Sequence, residues 1–290
     1  MRRHPAALAA CVVLLISGCG IPDDLDRDLT DDWPALAAPT RVTPRAGQCH
    51  RSVASIEVHR DDFRPIECTM THQDETSYVG TFPNTGTRPA TDGPAMHAAF
   101  DECDEQSRSW LGADWRAAAL DLNVRVPTEN AWRGGARWFR CDLSQTDDLG
   151  SNVKLDRRSS LEGSLTGDSD LLHRCFEIVT SDGFVDSTKP VPCTERHQGE
   201  FVGVHTATHG SHAALTADLD GTHRACLRLV AAYAKVPVDG NLEHRAGTIA
   251  YPPDEYEWAA GDRGVQCLLW LEDGLSRSVR GGGTRALPIQ

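Results

Sequence analysis

Lysine is almost missing from this chain of 290 residues: Lys154, Lys189 and Lys235 are the only ones among 29 basic side chains. Acidic residues number 42, so the formal charge is -13, and the sequence carries no basic stripe to follow a phosphate backbone. A dedicated nucleic-acid binder is thereby excluded. Aromatic residues make up only 6%, yet hydrophobic residues as a whole reach 40%, ample for a packed core and too many for a disordered chain. Long apolar runs are scarce as well. The most prominent, residues 7–18, falls short of the roughly 20 residues that a membrane-spanning helix needs. Motifs of nucleophilic, metal-hydrolytic and phosphate chemistry are also scarce: there is no G-x-S-x-G, H-E-x-x-H or glycine-rich phosphate loop. These absences predict a protein that is not an enzyme and needs no cofactor. An envelope hydrolase whose residues converge without a motif is the enzymatic reading left over.

What the chain does have begins at its N-terminus. Arg2 and Arg3 precede the apolar stretch 7–18, the layout of an export signal. The stretch ends in Ile16-Ser17-Gly18-Cys19, which resembles a bacterial lipobox, with Cys19 as the lipidated residue. Residues 1–18 are therefore expected to be a lipoprotein signal peptide whose removal shifts the charge from -13 to -15, since it takes away two arginines and no acid. Acyl chains on Cys19 would anchor the protein to the cell membrane on its extracytoplasmic face. Residues 19–45, rich in aspartate and proline, read as an acidic tether that anionic lipid would repel.

Ten cysteines fit an oxidising compartment. Setting aside Cys11 and Cys19 leaves Cys49, Cys68, Cys103 and Cys141, then Cys175, Cys193, Cys226 and Cys267, with similar intervals in the two sets. The surrounding residues agree. Cys68-Thr-Met-Thr-His72-Gln-Asp-Glu75 parallels Cys193-Thr-Glu-Arg-His197-Gln-Gly-Glu200. Downstream, Trp132-x-x-Gly135-x-Arg137 before Cys141 parallels Trp258-x-x-Gly261-x-Arg263 before Cys267. The chain thus reads as two tandem copies, residues 46–166 and 170–283.

Each copy offers a strand after its second cysteine and a helix with a cysteine on its apolar face. In the first, Met96, Ala99, Phe100, Cys103 and Trp110 share that face, between Pro94 and Gly112. In the second, Cys226, Leu229, Val230 and Tyr233 do, ahead of Pro237. The fourth cysteine of each copy sits in an alternating strand, and short strands are expected at 161–165 and 275–279. The predicted fold class is α+β, two tandem disulfide-stabilised domains, each a small antiparallel sheet packed against a helix. Of the three pairings possible for four cysteines, first with second and third with fourth is favoured in each copy. Each bond would contribute roughly 3 to 4 kcal/mol by constraining the unfolded chain.

The C-x-x-x-H-x-x-E segment, the cysteine-bearing helix and the W-x-x-G-x-R-x-x-x-C-x-L segment together resemble the septum-formation domain of actinobacterial envelope lipoproteins and membrane proteins. The first copy departs from the second in having Ala136 where the second has Asp262, and in an insert from Asp147 to Ser160. The resemblance implies an extracytoplasmic role in cell division or envelope growth and brings no catalytic residues. An interaction or scaffold protein with an envelope, divisome or cell-wall partner is the expectation, and a metal- or small-ligand-binding surface lipoprotein is the alternative.

Candidate contact residues are His72, Glu75, Trp132, Arg137, His197, Glu200, Trp258 and Arg263. Cysteine, histidine and glutamate are zinc-ligand types, but a disulfide sulfur is not a thiolate, so His72, Glu75, His197 and Glu200 are expected mainly to fix the turn into a strand. Trp132 and Trp258 could offer an aromatic shelf; packing over the glycine turn, with the arginine on a backbone carbonyl, is the simpler expectation. His205, His209 and His212, with His223 nearby, are the weak metal candidates and read better as an exposed histidine-rich loop.

Overall fold

The computed structural model describes residues 42–83, 86–151 and 153–290. The signal segment, Cys19 and most of the tether lie outside them. Residues Val42–Gln290 form one compact unit, and among the described residues no helix is long and apolar enough to cross a membrane.

The first half is a five-stranded sheet in the order β1-β3-β5-β4-β2. Its strands are β1 (Gln48–His50), β2 (Glu57–Val58), β3 (Asp74–Thr81), β4 (Leu120–Pro127) and β5 (Trp138–Gln145). Helix α1 (Pro94–Leu111) packs on one face, burying Met96, Ala99, Phe100, Cys103, Ser107 and Leu111, one stripe at helical spacing. Leu111 takes the inward position expected of Trp110, which is only partly buried. Gly112, at φ 92, ends the helix in the left-handed conformation that glycine adopts without cost. Along β4, Leu120, Leu122, Val124 and Val126 join the core under α1, so Asp121, Asn123 and Arg125 project from the other face. The sheet is antiparallel except that β2 runs parallel to β4. That exception follows from the path of the chain, which leaves β1 at one edge and reaches the opposite edge at β2 through residues 51–56.

The second half repeats the central order in β7-β6-β8-β10-β9, formed by β6 (Cys175–Ser181), β7 (Phe184–Val191), β8 (His197–Thr206), β9 (Gly247–Tyr251) and β10 (Gly264–Leu275). The short α2 (Glu129–Arg133) precedes β5 in the first half. Its counterpart before β10 is α5 (Glu255–Ala260), after α3 (His212–Ala217) and the cysteine-bearing α4 (Leu219–Ala234); α6 (Gly283–Ala286) lies near the C-terminus. Four disulfides join Cys49 to Cys68, Cys103 to Cys141, Cys175 to Cys193 and Cys226 to Cys267. In each half one of them ties the central helix to the central strand.

Two expected strands are absent. Residues 161–165 and 276–279 lie in no strand; Leu161 N–H donates to Glu75 and Val279 N–H to Glu200, while the amides of Gly163, Ser164 and Leu165 donate to the carbonyls of Trp110, Leu161 and Leu111. The insert of the first half is a bridge. Its Leu149 packs with Phe176, Ile178 and Leu268 of the second half, and the Asp148 carboxylate accepts from the Thr188 hydroxyl at 2.9 Å.

Candidate functional site

The histidine and glutamate of each repeated motif, with the cysteine bonded to the motif's own, form two equivalent buried clusters, Cys49/His72/Glu75 and Cys175/His197/Glu200. Both cysteines are in disulfides, leaving one imidazole and one carboxylate per cluster, too few for a four-coordinate zinc site. The carboxylates are turned to structural work. Glu75 accepts from the Ser160 hydroxyl and from Leu161 N–H at 2.6 Å. Glu200 accepts from Tyr233 and Ser278 hydroxyls and from Val279 N–H, with His197 Nε2 at 3.2 Å. His72 and His197 each place Nδ1 2.8 Å from the carbonyl two residues earlier, at Met70 and Glu195, to which it donates.

The tryptophan motif is also built inward. Arg137 and Arg263 donate to the carbonyls of Trp132 and Trp258, both at 2.7 Å, and stack over the same indoles at 4.2 and 3.8 Å. With Trp132 1% and Trp258 7% exposed, neither ring is an open shelf. Gly261, at φ 124, lets α5 approach α1 of the other half: a side chain there would meet Phe100 Cβ at 2.9 Å.

His205, His209, His212 and His223 are partly buried, not an exposed loop, and three of them bond to different partners. His209 bonds Asp218, His212 the Pro253 carbonyl and His223 the Thr248 hydroxyl. His205 is held below its ordinary pKa by burial and by Arg228 and His209. Among the described residues none of them belongs to a three-ligand group.

The place where unspent chemistry converges is the face of the first sheet opposite α1, which the motifs did not announce. Its rows run His50, Asp74, Ser144, Asp121; then Thr76, Asp142, Asn123; then Arg140, Arg125. Seven of these nine are buried, and Asp121 and Asn123 at the β4 end are partly exposed. Ser144 and Val53 N–H donate to Asp74, Thr76 donates to Asp142, and Arg140 pairs with Asp142 at 2.9 Å. Burial and Arg140 push the His50 pKa down to about 4, so the imidazole is neutral at pH 7. In the second half the same face carries Gly199, Phe201, Leu268, Trp270 and Ile249, an apolar surface. The alternation in Leu-Asp121-Leu-Asn123-Val-Arg125-Val was the available signal.

At its β4 end this face opens into a cleft of about 590 Å³ whose other wall is α5 of the second half. Asp121 and Arg125 line one side, Tyr256 and Glu257 the other. The walls are locked by Arg116, whose guanidinium donates to Asp262 at 2.6 and 3.1 Å and pairs with Asp104. Asp262 is the residue replaced by Ala136 in the first half, so this departure between the halves builds their junction. Burial raises the Glu257 pKa to about 7, with Asp254, Asp121 and Asp262 adding to it against the Asp254 N–H. Burial likewise raises Asp121, opposed by Asn123, Lys154 and Arg125.

A pH-dependent stability follows. Between about pH 4.5 and 7 the folded chain keeps a proton on Glu257 that the unfolded chain has released, so this residue's effect is to lower stability as pH rises through that window. Glu257→Gln is neutral throughout and is expected to gain roughly 1 to 3 kcal/mol on the native chain between about pH 5 and pH 8. Denaturation curves of both proteins at the two pH values check this; an unchanged difference would refute it.

A model of the protein family described as septum formation matches residues 46–267, spanning both halves in a single match. No curated protein and no solved structure matches the chain.

Proposed function

Because the chain belongs to the septum-formation family, we propose that it serves septum formation or cell division as a lipid-anchored protein on the extracytoplasmic face of the cell membrane, holding an envelope, divisome or cell-wall partner without catalysing a reaction. Support for export comes from the signal-like residues 1–18, the lipobox at Cys19 and the four disulfides. The observation that carries the partner-holding role is the cleft between the halves, rigidly walled by the Arg116–Asp262 pair and open to an exposed Tyr256.

The test is a photo-crosslinking residue at Tyr256 in living cells, combined with deletion of the gene. A crosslinked envelope or division protein and misplaced or delayed septa are expected. No crosslink together with unaltered septation removes the reading. A hydrolase reading has one observation in its favour, the two carboxyls of raised pKa in one cleft. Hydrolysis of cell-wall fragments by the purified protein, lost in Asp121→Asn, would establish it.

A further inference from the structure

The floor of the cleft is the edge of a strand. Five consecutive residues of β4, Asp121 to Arg125, line it; their side chains alternate between the two faces, so all five reach one cavity only along the edge. Hydrogen bonding gives the same orientation. Thr146 N–H donates to the Ala119 carbonyl, which assigns the odd positions of β4 to bonds with β5, while Val126 N–H turns outward to the Ile56 carbonyl. Leu122 and Val124 share the outward orientation of Val126. β2 covers this edge only at Val126 and Pro127, and among the described residues no strand pairs with it over Asp121–Arg125.

The two ends of this stretch carry opposite charge. At one, Asp121 faces Glu257 across the cleft mouth with no cation bonded to either. At the other, Arg125 is 5% exposed; it donates to the Val53 carbonyl at 2.8 Å and lies 3.9 and 3.8 Å from Asp74 and Asp142, while its Nε has no hydrogen-bond partner. Lys154, the other cation in the lining, is already bonded to Asp74 and the Val53 carbonyl. Among the described residues neither Asp121 nor Glu257 belongs to a three-ligand metal group, which favours an organic ammonium over a metal ion. Asp121 and Arg125 are four residues apart on one strand, about 13 Å at the usual rise, the length of about four extended residues.

We propose that the open edge of β4 binds an extended peptide of about four residues as an added parallel strand, its free ammonium end against Asp121 and Glu257 and its carboxylate end against Arg125. Backbone hydrogen bonds along the edge supply sequence-independent affinity, and the two charged ends set direction and length. The proposal rests on the partner-holding reading above and names the chemistry of what is held.

Isothermal titration of the full-length protein with Ala-Val-Thr-Val tests it, using the peptide with free termini, N-acetylated, C-amidated and doubly capped. The free peptide is expected to bind, and each single cap to weaken it by roughly tenfold or more, the effect of losing one charged hydrogen-bonded contact. Glu257→Gln should weaken the free and amidated peptides and leave the acetylated one unchanged. Equal binding of all four peptides overturns the proposal, as does no binding of any at millimolar concentration. Asp121→Asn should have the same effect as Glu257→Gln; if it fails to fold, the capped peptides and Glu257→Gln still decide. A Tyr256 crosslink in cells without peptide binding refutes this inference and leaves the partner-holding function standing; peptide binding with no crosslink and unaltered septation supports the site and refutes that function.

Discussion

Replacing Cys226 and Cys267 together with alanine is expected to lower the stability of the chain by about 4 kcal/mol, the chain-entropy value for a closed loop of this size. The two cysteines are 41 residues apart and wholly buried, joining α4 to β10. None of the four disulfide loops overlaps another in sequence, so each constrains its own stretch of the unfolded chain and the effects should add. The shorter Cys175–Cys193 loop, with a separation of 18, should cost less, about 3 kcal/mol. Guanidinium unfolding of the two double-alanine variants measures both losses. A smaller loss for the longer loop would mean that native packing around the sulfurs, and not the unfolded chain, sets the cost.

Arg116→Met should be comparably damaging, by about 3 to 5 kcal/mol, because it leaves charge without a partner. Arg116 is 4% exposed and Asp262 6%. In the native chain the guanidinium serves Asp262 and Asp104 together and stacks on Trp115 at 4.0 Å. Methionine fills a similar volume but leaves the buried Asp262 without its guanidinium, whereas Asp104 keeps Arg108 at 2.9 Å and the Trp115 indole N–H. Combining Arg116→Met with Asp262→Asn is expected to recover about half of the loss, since the buried orphan charge is then gone. A double variant no more stable than Arg116→Met alone would show that the loss comes from packing. Unfolding followed by separate probes in the two halves should also lose its coincidence, because Arg116 is the main polar tie between them.

The cysteine pairing and the helices carrying Cys103 and Cys226 were legible because each depends on local periodicity: an apolar stripe every three or four residues in a helix, every two in a strand. The glutamates of the C-x-x-x-H-x-x-E motif were visible as residues but not as anchors. What they hold, Leu161 and Val279, lies about 80 residues away in the chain, in segments expected as strands whose first or last amide is instead bound by a carboxylate. Two differences between the halves, Asp262 for Ala136 and the insert at 147–160, were visible in sequence only as departures of the first from the second. In three dimensions they supply the Arg116 pair and the Leu149 and Asp148 contacts that join the halves.

By itself, then, the sequence determined the class of the fold and the family resemblance and favoured the disulfide pairing that the structure has, all written in spacing along the chain. Only the tertiary structure decided which chemistry stays available. It folded the repeated histidines, glutamates, tryptophans and arginines into internal bonds, and it left the unremarkable Asp121 and Arg125 lining a cleft with Glu257 of the other half. Burial and the nearness of like charges raise the pKa of Glu257, and both depend on residues up to about 140 positions apart meeting in space.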